Sequence, residues 1–327
     1  MRFVLRKLGF YAVAAWMAVT LNFFLPRLIP GDPIQLILSR QAQYGPIPEG
    51  REEALAEMLG LGTGNIFQQY WDYLAQLARF DFGISITYFP VPVTDVLNDA
   101  VPWTIVLVGM ATLISVALGL ALGALAGWRR GSWLDSLVPS TTFLAAIPYF
   151  WVALLMLYYF GQVWGLFPLG GGYDEINYDI GLTAGFVQSA VSHAALPAAT
   201  IVVSSIGGWM LGMRNMMVST LAEDYITAAE AKGLPPRRIM MGYAARNAVL
   251  PSVAGFAITL GFIVSGSLVM EIVFSYPGMG YTMLQAVNNN DYPLMQAVFL
   301  MITFAVLAAN FVVDLLYGFV DPRTRQG

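Results

Sequence analysis

Long stretches of apolar residues, each about as long as a bilayer is thick, are the most constraining feature of this sequence. A helix needs about 20 apolar residues to cross the hydrocarbon of a membrane. Six stretches meet that length: residues 10–29, 101–127, 134–161, 194–213, 249–270 and 294–319. Charged residues make up only 11% of the chain, against about 25% in soluble domains. We therefore expect an all-α integral membrane protein with about six transmembrane helices.

The positions of Lys and Arg predict the orientation of these helices, because cytoplasmic segments carry an excess of both residues. Twelve of the sixteen lie before the first stretch, between the second and third, between the fourth and fifth, or after the last. Residues 164–195 and 273–297 contain neither. The pattern predicts a multi-pass protein of the cytoplasmic (inner) membrane with both termini in the cytoplasm.

The chain divides into two predicted regions at residue 100. Residues 1–100 hold the first transmembrane helix and an acidic extracytoplasmic region, in which the amphipathic stretch 67–78 has helical spacing. Residues 101–327 form a predicted core of five transmembrane helices with a cytoplasmic loop at residues 217–247. Within the core, Gly119, Gly123 and Gly127 recur every fourth residue, a spacing that favours close packing against another helix.

Several classes of chemistry are excluded by composition. The chain has no cysteine and one histidine, His193, so we expect no disulfide and no zinc site. No basic stripe suggests nucleic acid as a partner. A phosphate-binding P-loop ends in Gly-Lys-Ser/Thr, whereas the two lysines here, Lys7 and Lys232, follow Arg6 and Ala231. We therefore expect no catalytic residue, no metal ligand and no bound cofactor in this chain.

The cytoplasmic loop 217–247 contains residues typical of the starts and ends of two short helices. Thr220 and Glu223 fit a capping box, so a helix can begin there. Gly233 suits the left-handed position that ends a helix, and Pro235-Pro236 can open the next one. The second helix is basic and should extend to about Arg246.

The periodicity of the first short helix leaves its partner undecided. Leu221, Tyr225, Ala228, Ala229 and Lys232 are expected on one face, with small residues at the middle. A helix this short needs something to pack against. A groove in a partner protein and the surface of the lipid bilayer fit the pattern equally well.

The same residues resemble a known family. The run Asp224-Tyr-Ile-Thr-Ala-Ala-Glu-Ala-Lys-Gly-Leu234, followed by Arg246-Asn-Ala-Val-Leu-Pro251, resembles the cytoplasmic "EAA" loop of permease subunits of binding-protein-dependent ABC importers. Four further runs, which begin at Ile29, Asp81, Glu271 and Asp314, resemble signatures of the oligopeptide/dipeptide/nickel permease B-type subunits. The resemblance covers nearly the whole chain, although Thr227 stands where the family has its glutamate.

The resemblance implies a type I ABC importer permease fold, in which transport and ATP hydrolysis are carried out by separate subunits. Loop 217–247 would be the coupling element that docks on a cytoplasmic ATPase. Its contact residues would be Asp224, Tyr225, Ala228, Ala229, Lys232, Gly233, Arg237 and Arg238. The implied partners are a homologous second permease subunit, two ATP-binding subunits that hold ATP and Mg²⁺, an extracytoplasmic solute-binding protein and membrane lipid.

The transported substrate and the residues that line its pathway cannot be identified from the sequence. The resemblance favours di- or oligopeptides, with nickel chelates or oligosaccharides as alternatives. The binding protein is expected to touch the acidic region 30–100. An ion-coupled secondary transporter is the rival function, but such carriers place charged or unwound elements at mid-membrane and show repeated halves, and neither pattern is found in this sequence. A membrane-embedded enzyme would need a nucleophile and base, or a metal cluster, in its spans, and the predicted spans contain neither.

Overall fold

The computed structural model describes residues 2–24, 33–42, 50, 52, 65–252, 255–256, 259 and 268–320. These residues form helices and connecting turns, and within them the one β contact is an isolated bridge between Ile84 and Pro92. The α-helices are α1 Arg2–Phe24, α2 Pro33–Ala42, α3 Ile66–Ala78, α4 Val93–Trp128, α5 Trp133–Ala146, α6 Tyr149–Met156, α7 Ala184–Thr220, α8 Asp224–Ala231, α9 Pro236–Arg238, α10 Arg246–Ala248, α11 Leu268–Val273, α12 Met279–Asn288 and α13 Tyr292–Val320. Leu157–Val163 and Ile239–Ala245 are π-helical. The predicted all-α fold is confirmed.

Four helices of the described part are long and apolar enough to cross a membrane. They are Arg6–Phe24 within α1, Val93–Trp128, Ala184–Thr220 and Tyr292–Val312 within α13. They correspond to the first, second, fourth and sixth predicted spans. The fifth predicted span, 249–270, lies mostly outside the described residues.

The third predicted span, 134–161, is interrupted rather than continuous. It is divided among α5, α6 and the π-helical segment Leu157–Val163. The break follows Ala146, and Pro148 is the N-cap of α6. Proline has no N–H to donate and disfavours helical backbone in the residue before it, so an apolar stretch that looks uniform forms two helices.

The chain has two compact units, and α4 contributes to both. The first unit comprises Met1–Thr104, Val264–Leu268 and Pro277–Gly327. Within it α1 packs antiparallel to α13. Lys7 Nζ lies 2.7 Å from Asp314 Oδ2 near one end of the pair, and Asn22 Nδ2 donates to the Gln296 carbonyl at 2.7 Å near the other.

A buried carboxylate organises the turn that precedes α4 in the first unit. Asp291 is fully buried just before α13. Its Oδ2 accepts hydrogen bonds from Ser85 Oγ and, at 2.8 Å, from the Thr87 N–H, and its Oδ1 accepts from the Leu294 N–H at 3.1 Å. One side chain thus caps α13 and ties the 85–87 turn to it.

The second unit comprises Ile105–Ile263 and Val269–Tyr276. Its centre is a seam between α4 and α7, which lie side by side and run in the same direction. A Cβ built on Gly119 would lie 2.5 Å from Trp209 Cβ, one on Gly123 would lie 2.4 Å from the Met210 carbonyl oxygen, and one on Gly127 would lie 2.5 Å from Met217 Cβ. The predicted close packing at the three glycines is confirmed, because no larger side chain fits there without moving a helix.

Polar contacts close both ends of the seam. Toward the beginning of the helices, Ser115 Oγ and Ser205 Oγ are 2.8 Å apart. Toward their ends, Arg214 Nε donates to Asp135 Oδ1 of α5 at 2.8 Å, and Arg130 Nη2 donates to the Val218 carbonyl at 2.8 Å. The α4–α5 turn is therefore bound to the last turns of α7.

Candidate functional site

The helix α8 begins later than the sequence suggests. Thr220 is the buried last residue of α7, not an N-cap, and the Leu221 N–H still donates to the Met217 carbonyl at 2.9 Å. The N-cap of α8 is Glu223, whose side chain makes no capping bond. The predicted capping box is wrong, because α7 continues through the buried Thr220, and nothing in the local sequence shows that the helix extends this far.

The end of α8 agrees with the prediction. Gly233 has φ +70°. Its N–H donates to the Glu230 carbonyl at 2.8 Å, and the Leu234 N–H donates to the Ala229 carbonyl at 3.3 Å. These are the two bonds of a Schellman motif, which satisfies the last carbonyls of a helix. Glycine is favoured at this position because an L side chain is strained at positive φ.

The next helical segment opens at Pro236, as predicted, and runs to Ala248. Pro236 is the first residue of α9, where the missing N–H costs nothing. The middle of the segment, Ile239–Ala245, is π-helical. Ile239, Ala244 and Ala248 turn inward and are buried.

A single apolar core lies beneath both short helices and reaches the membrane helices. Ile226 and Ala229 of α8 are only 2% and 3% exposed. They pack with the buried residues of the next segment, with Met213 and Met217 of α7, and with Ala124 of α4. Since Met217 also contacts Gly127 at the seam, α8 rests directly on the α4–α7 pair.

The outer side of α8, of the turn after it and of α9 is exposed and carries most of the residues predicted to make contacts. Seven are exposed: Asp224, Tyr225, Ala228, Lys232, Gly233, Arg237 and Arg238. Ala229 is the exception, because its side chain packs into the chain's own core. The stripe that is buried within the chain runs through Ile226 and Ala229, whereas Tyr225 and Ala228 face outward. Periodicity identified a two-faced helix, but the covered face depends on α7 and α4, which are distant in sequence.

One polar contact fixes the aromatic residue of this open face. Tyr225 is 39% exposed, and its hydroxyl accepts a hydrogen bond from Asn247 Nδ2 at 3.1 Å. The same Asn247 Nδ2 donates to the Tyr243 carbonyl at 2.9 Å. Asn247 was not among the predicted site residues, although it lies in the Arg246–Pro251 run, and the 22 positions that separate it from Tyr225 hide the contact in the sequence.

The charges and small residues of the open face suit docking to a protein. Acidic Asp224 lies in the first turn of α8, where the helix dipole favours it. Basic Lys232, Arg237 and Arg238 follow the helix end. Ala228 lies between these charges and leaves room for a partner's backbone. We call the exposed residues Asp224, Tyr225, Ala228, Lys232, Gly233, Arg237 and Arg238 the docking face.

Comparisons with known proteins identify the family. Residues 119–326 match the family described as "Binding-protein-dependent transport system inner membrane component". The chain is 33% identical to the di/tripeptide transport system permease protein DppB of Pseudomonas aeruginosa (strain UCBPP-PA14), over 99% of this chain and 98% of that protein.

Two further relatives extend across most or all of both chains. The dipeptide transport system permease protein DppB of Escherichia coli (strain K12) is 31% identical over 100% of this chain and 99% of its own. The oligopeptide transport system permease protein AppB of Bacillus subtilis (strain 168) is 29% identical over 93% of this chain and 92% of its own. The resemblance seen in the sequence is confirmed, and the chain belongs to the family of binding-protein-dependent transport system inner membrane components.

Proposed function

We propose that this chain forms the membrane pathway of an ATP-driven peptide importer and that residues 217–247 couple the pathway to a separate ATPase. One observation carries the proposal. The docking face is exposed, whereas the opposite side of α8, formed by Ile226 and Ala229, shares a core with Met217 of α7 and Ala124 of α4. A force applied to α8 therefore acts on the membrane helices without an intervening flexible segment.

The substrate class follows from the relatives. The three proteins named above are permeases for di- and tripeptides, dipeptides and oligopeptides. Similarity along nearly the entire chain favours peptides over nickel chelates or oligosaccharides. The same similarity disfavours an ion-coupled secondary transporter.

The proposed assembly has a homologous second permease, two ATP-binding subunits and an extracytoplasmic solute-binding protein. ATP and Mg²⁺ belong to the ATP-binding subunits, because neither lysine of this chain stands in a P-loop. The division between residues 1–100 and 101–327 remains part of the proposal. So does a contact between the binding protein and region 30–100. Much of that region, including 49–61 apart from 50 and 52, lies outside the described residues. Unchanged docking after deletion of 49–61 would reject that contact.

The proposed orientation places both termini and the docking face in the cytoplasm. Arg129 and Arg130 then lie on the same side as Lys232, in agreement with the excess of basic residues expected there. Because α4 and α7 run in the same direction, their later ends and α8 share one side. In the proposed cycle, closure of the two ATPases moves α8, and α7 and α4 follow.

Thiol accessibility tests both the side and the docking. The chain has no cysteine, so Ala228→Cys and Arg129→Cys each introduce the sole thiol of the permease at an exposed position. A membrane-impermeant maleimide should label both in inside-out vesicles and neither in intact cells. Bound ATP-binding subunits should protect Ala228→Cys, whereas Arg129→Cys serves as the control for general exposure. Labelling of Ala228→Cys from outside, or at equal rates with and without the ATP-binding subunits, would refute the docking role.

Transport in proteoliposomes tests the energy source. The complete importer should take up peptide when ATP and the binding protein are both present, and omission of either should abolish uptake. A proton gradient applied to this chain alone should drive none. Uptake by the gradient alone would establish the rival secondary transporter.

A further inference from the structure

An ion pair joins α5 to α7 beside the core that supports α8. Arg214 Nε donates to Asp135 Oδ1 at 2.8 Å, and the Asp135 side chain is only 11% exposed. The other carboxylate oxygen, Oδ2, accepts a hydrogen bond from the Gly131 N–H at 2.9 Å. One oxygen of the carboxylate is therefore bound by α7, and the other by the turn between α4 and α5.

Arg214 contacts α4 with its backbone and α5 with its side chain. A Cβ on Gly123 would lie 3.1 Å from the Arg214 nitrogen, and one on Gly127 would lie 2.9 Å from the Arg214 carbonyl oxygen. The guanidinium leaves this seam and reaches Asp135 of α5. The preceding residue, Met213, belongs to the core beneath α8. Since a densely packed interior transmits displacement, a movement of α8 reaches Arg214 directly.

A second contact repeats this arrangement at the end of α7. Met217, the other α7 methionine of the core beneath α8, is followed by Val218. The Val218 carbonyl accepts a hydrogen bond from Arg130 Nη2 at 2.8 Å, and Arg130 belongs to the turn between α4 and α5. Each core methionine of α7 is thus followed by a residue that binds the start of α5 or the turn before it.

The first turn of α5 is otherwise largely exposed. Trp133 is 75% exposed, Ser136 is exposed and Leu134 is partly buried. The first fully buried residue of the helix is Val138, which packs with Met210 of α7. From that level onward, apolar contacts hold α5 against α7 with or without the ion pair. Loss of the pair should therefore leave α5 folded, while its first turn no longer follows α7.

We propose that Asp135 and Arg214 are positioning residues of the transport cycle, which hold the first turn of α5 to α7 so that α5 follows the displacement of α8. The inference rests on the proposed function, in which α8 receives the movement of the ATPases. It adds α5 to the helices that α8 moves. The pair stays closed throughout the cycle, because the two helix ends would move separately if it opened.

The ratio of peptide uptake to ATP hydrolysed, measured for the complete importer in proteoliposomes, tests this role. Asp135→Asn and Arg214→Gln each remove one charge of the pair. The ratio should fall about threefold in both variants, because a partly exposed ion pair shifts an equilibrium by a factor of a few. The double variant should lose no more than either single one, since one interaction is removed in all three. ATP hydrolysis should continue, because the docking face is intact.

The other ion pair of the described residues supplies the matched control. Lys7 Nζ lies 2.7 Å from Asp314 Oδ2, and the two side chains are 30% and 32% exposed. This pair joins α1 to α13 in the other compact unit. Lys7→Gln removes a charge of the same sign as Arg214→Gln, and should leave uptake per ATP hydrolysed unchanged.

A reversible cross-link can replace the ion pair by a covalent bond. Because the chain has no cysteine, Asp135→Cys with Arg214→Cys introduces its only two thiols, in a complex whose other subunits carry none. A short, reducible bifunctional thiol reagent should raise the low uptake per ATP of this variant, and reduction should lower it again. The same reagent should not change the ratio for Arg214→Cys alone. Both states are measured on one sample, so a folding defect cannot produce the difference.

Three results would overturn the positioning role. The charge variants could couple uptake to hydrolysis as well as Lys7→Gln does, the cross-linked variant could remain uncoupled, or the cross-link could stop transport, which would show that the pair must open. If the wild-type importer takes up no peptide with ATP, the proposed function fails as well. A wild type that couples, with pair variants that couple equally, removes the positioning role alone.

Discussion

Replacement of Gly123 by alanine should destabilise the protein, although alanine has a higher intrinsic helix propensity than glycine. The added Cβ would lie 2.4 Å from the Met210 carbonyl oxygen, 2.9 Å from Met213 Cβ and 3.1 Å from the Arg214 nitrogen. Ordinary contact begins near 3.4 Å, so α4 and α7 must separate by about 1 Å at this level. Two of the three obstructing atoms belong to the backbone and cannot rotate away.

The magnitude follows from two opposing contributions. Overpacking of this kind costs about 1–3 kcal/mol, and a clash with backbone belongs at the upper end of that range. Alanine regains about 1 kcal/mol of helix propensity over glycine. We expect Gly123→Ala to lower the free energy of unfolding by about 2 kcal/mol.

Gly109 supplies the matched control on the same helix. No described atom lies within 4 Å of a Cβ placed there, so Gly109→Ala should keep the propensity gain and stabilise by up to about 1 kcal/mol. Thermal unfolding of the purified permease in detergent, followed by size-exclusion chromatography, should shift in opposite directions for the two variants. Equal shifts for Gly123→Ala and Gly109→Ala would refute the claim that the seam is in contact.

Three further predictions concern other parts of the chain. Gly233→Val and Gly131→Val should each cost about 1–2 kcal/mol, because both glycines have positive φ with open space around them, but only Gly233→Val should lower peptide uptake per ATP hydrolysed; equal coupling would place the docking face elsewhere. Asp291→Ala should lower stability by about 3 kcal/mol, since it leaves three donors without their acceptor, and Ser85→Ala by about 1 kcal/mol; equal losses in thermal unfolding would contradict the conclusion that Asp291 ties the 85–87 turn to α13. The Asp174 carboxylate accepts hydrogen bonds from Asn177 Nδ2 at 2.7 Å and from the Ile176 N–H at 3.1 Å, and these bonds hold the pKa of Asp174 below its ordinary 3.8. Both bonds should therefore persist at neutral pH and be lost only as the pH falls through the lowered pKa; earlier loss of protection of the Ile176 amide in hydrogen exchange would contradict this.

Features decided by local chemistry were predictable from the sequence. The turn at Gly233 needs only a residue that tolerates positive φ, followed by prolines that cannot continue a helix, and the structure has this turn where the sequence places it. The apolar length of α4 and α7 likewise predicts membrane helices without knowledge of their neighbours. The spacing of Gly119, Gly123 and Gly127 predicted close packing, because small residues every fourth position form a flat strip on one side of a helix.

Features decided by distant residues were not predictable. Which face of α8 is buried within the chain depends on Met213 and Met217 of α7 and on Ala124 of α4, so the burial of Ile226 could not be read from the sequence of α8 alone. The link from Asn247 to Tyr225 requires the whole hairpin to be folded. Local rules therefore gave the end of α8 at Gly233 and the start of the next segment at Pro236, but neither the start of α8 nor the face that it buries.

In the proposed function, the seam between α4 and α7 carries the displacement of α8 into the membrane pathway. Met217 packs beneath Ile226 and Ala229 and at the same time contacts Gly127 of α4. A densely packed interior transmits displacement instead of absorbing it, and at the three glycines the gap is too small even for a methyl group. In the proposed cycle α4 and α7 therefore move together as one body when α8 is displaced. Loosening the seam at Gly123 should then reduce transport per ATP hydrolysed even in a variant whose docking face is intact, which a seam with a purely structural role would not do.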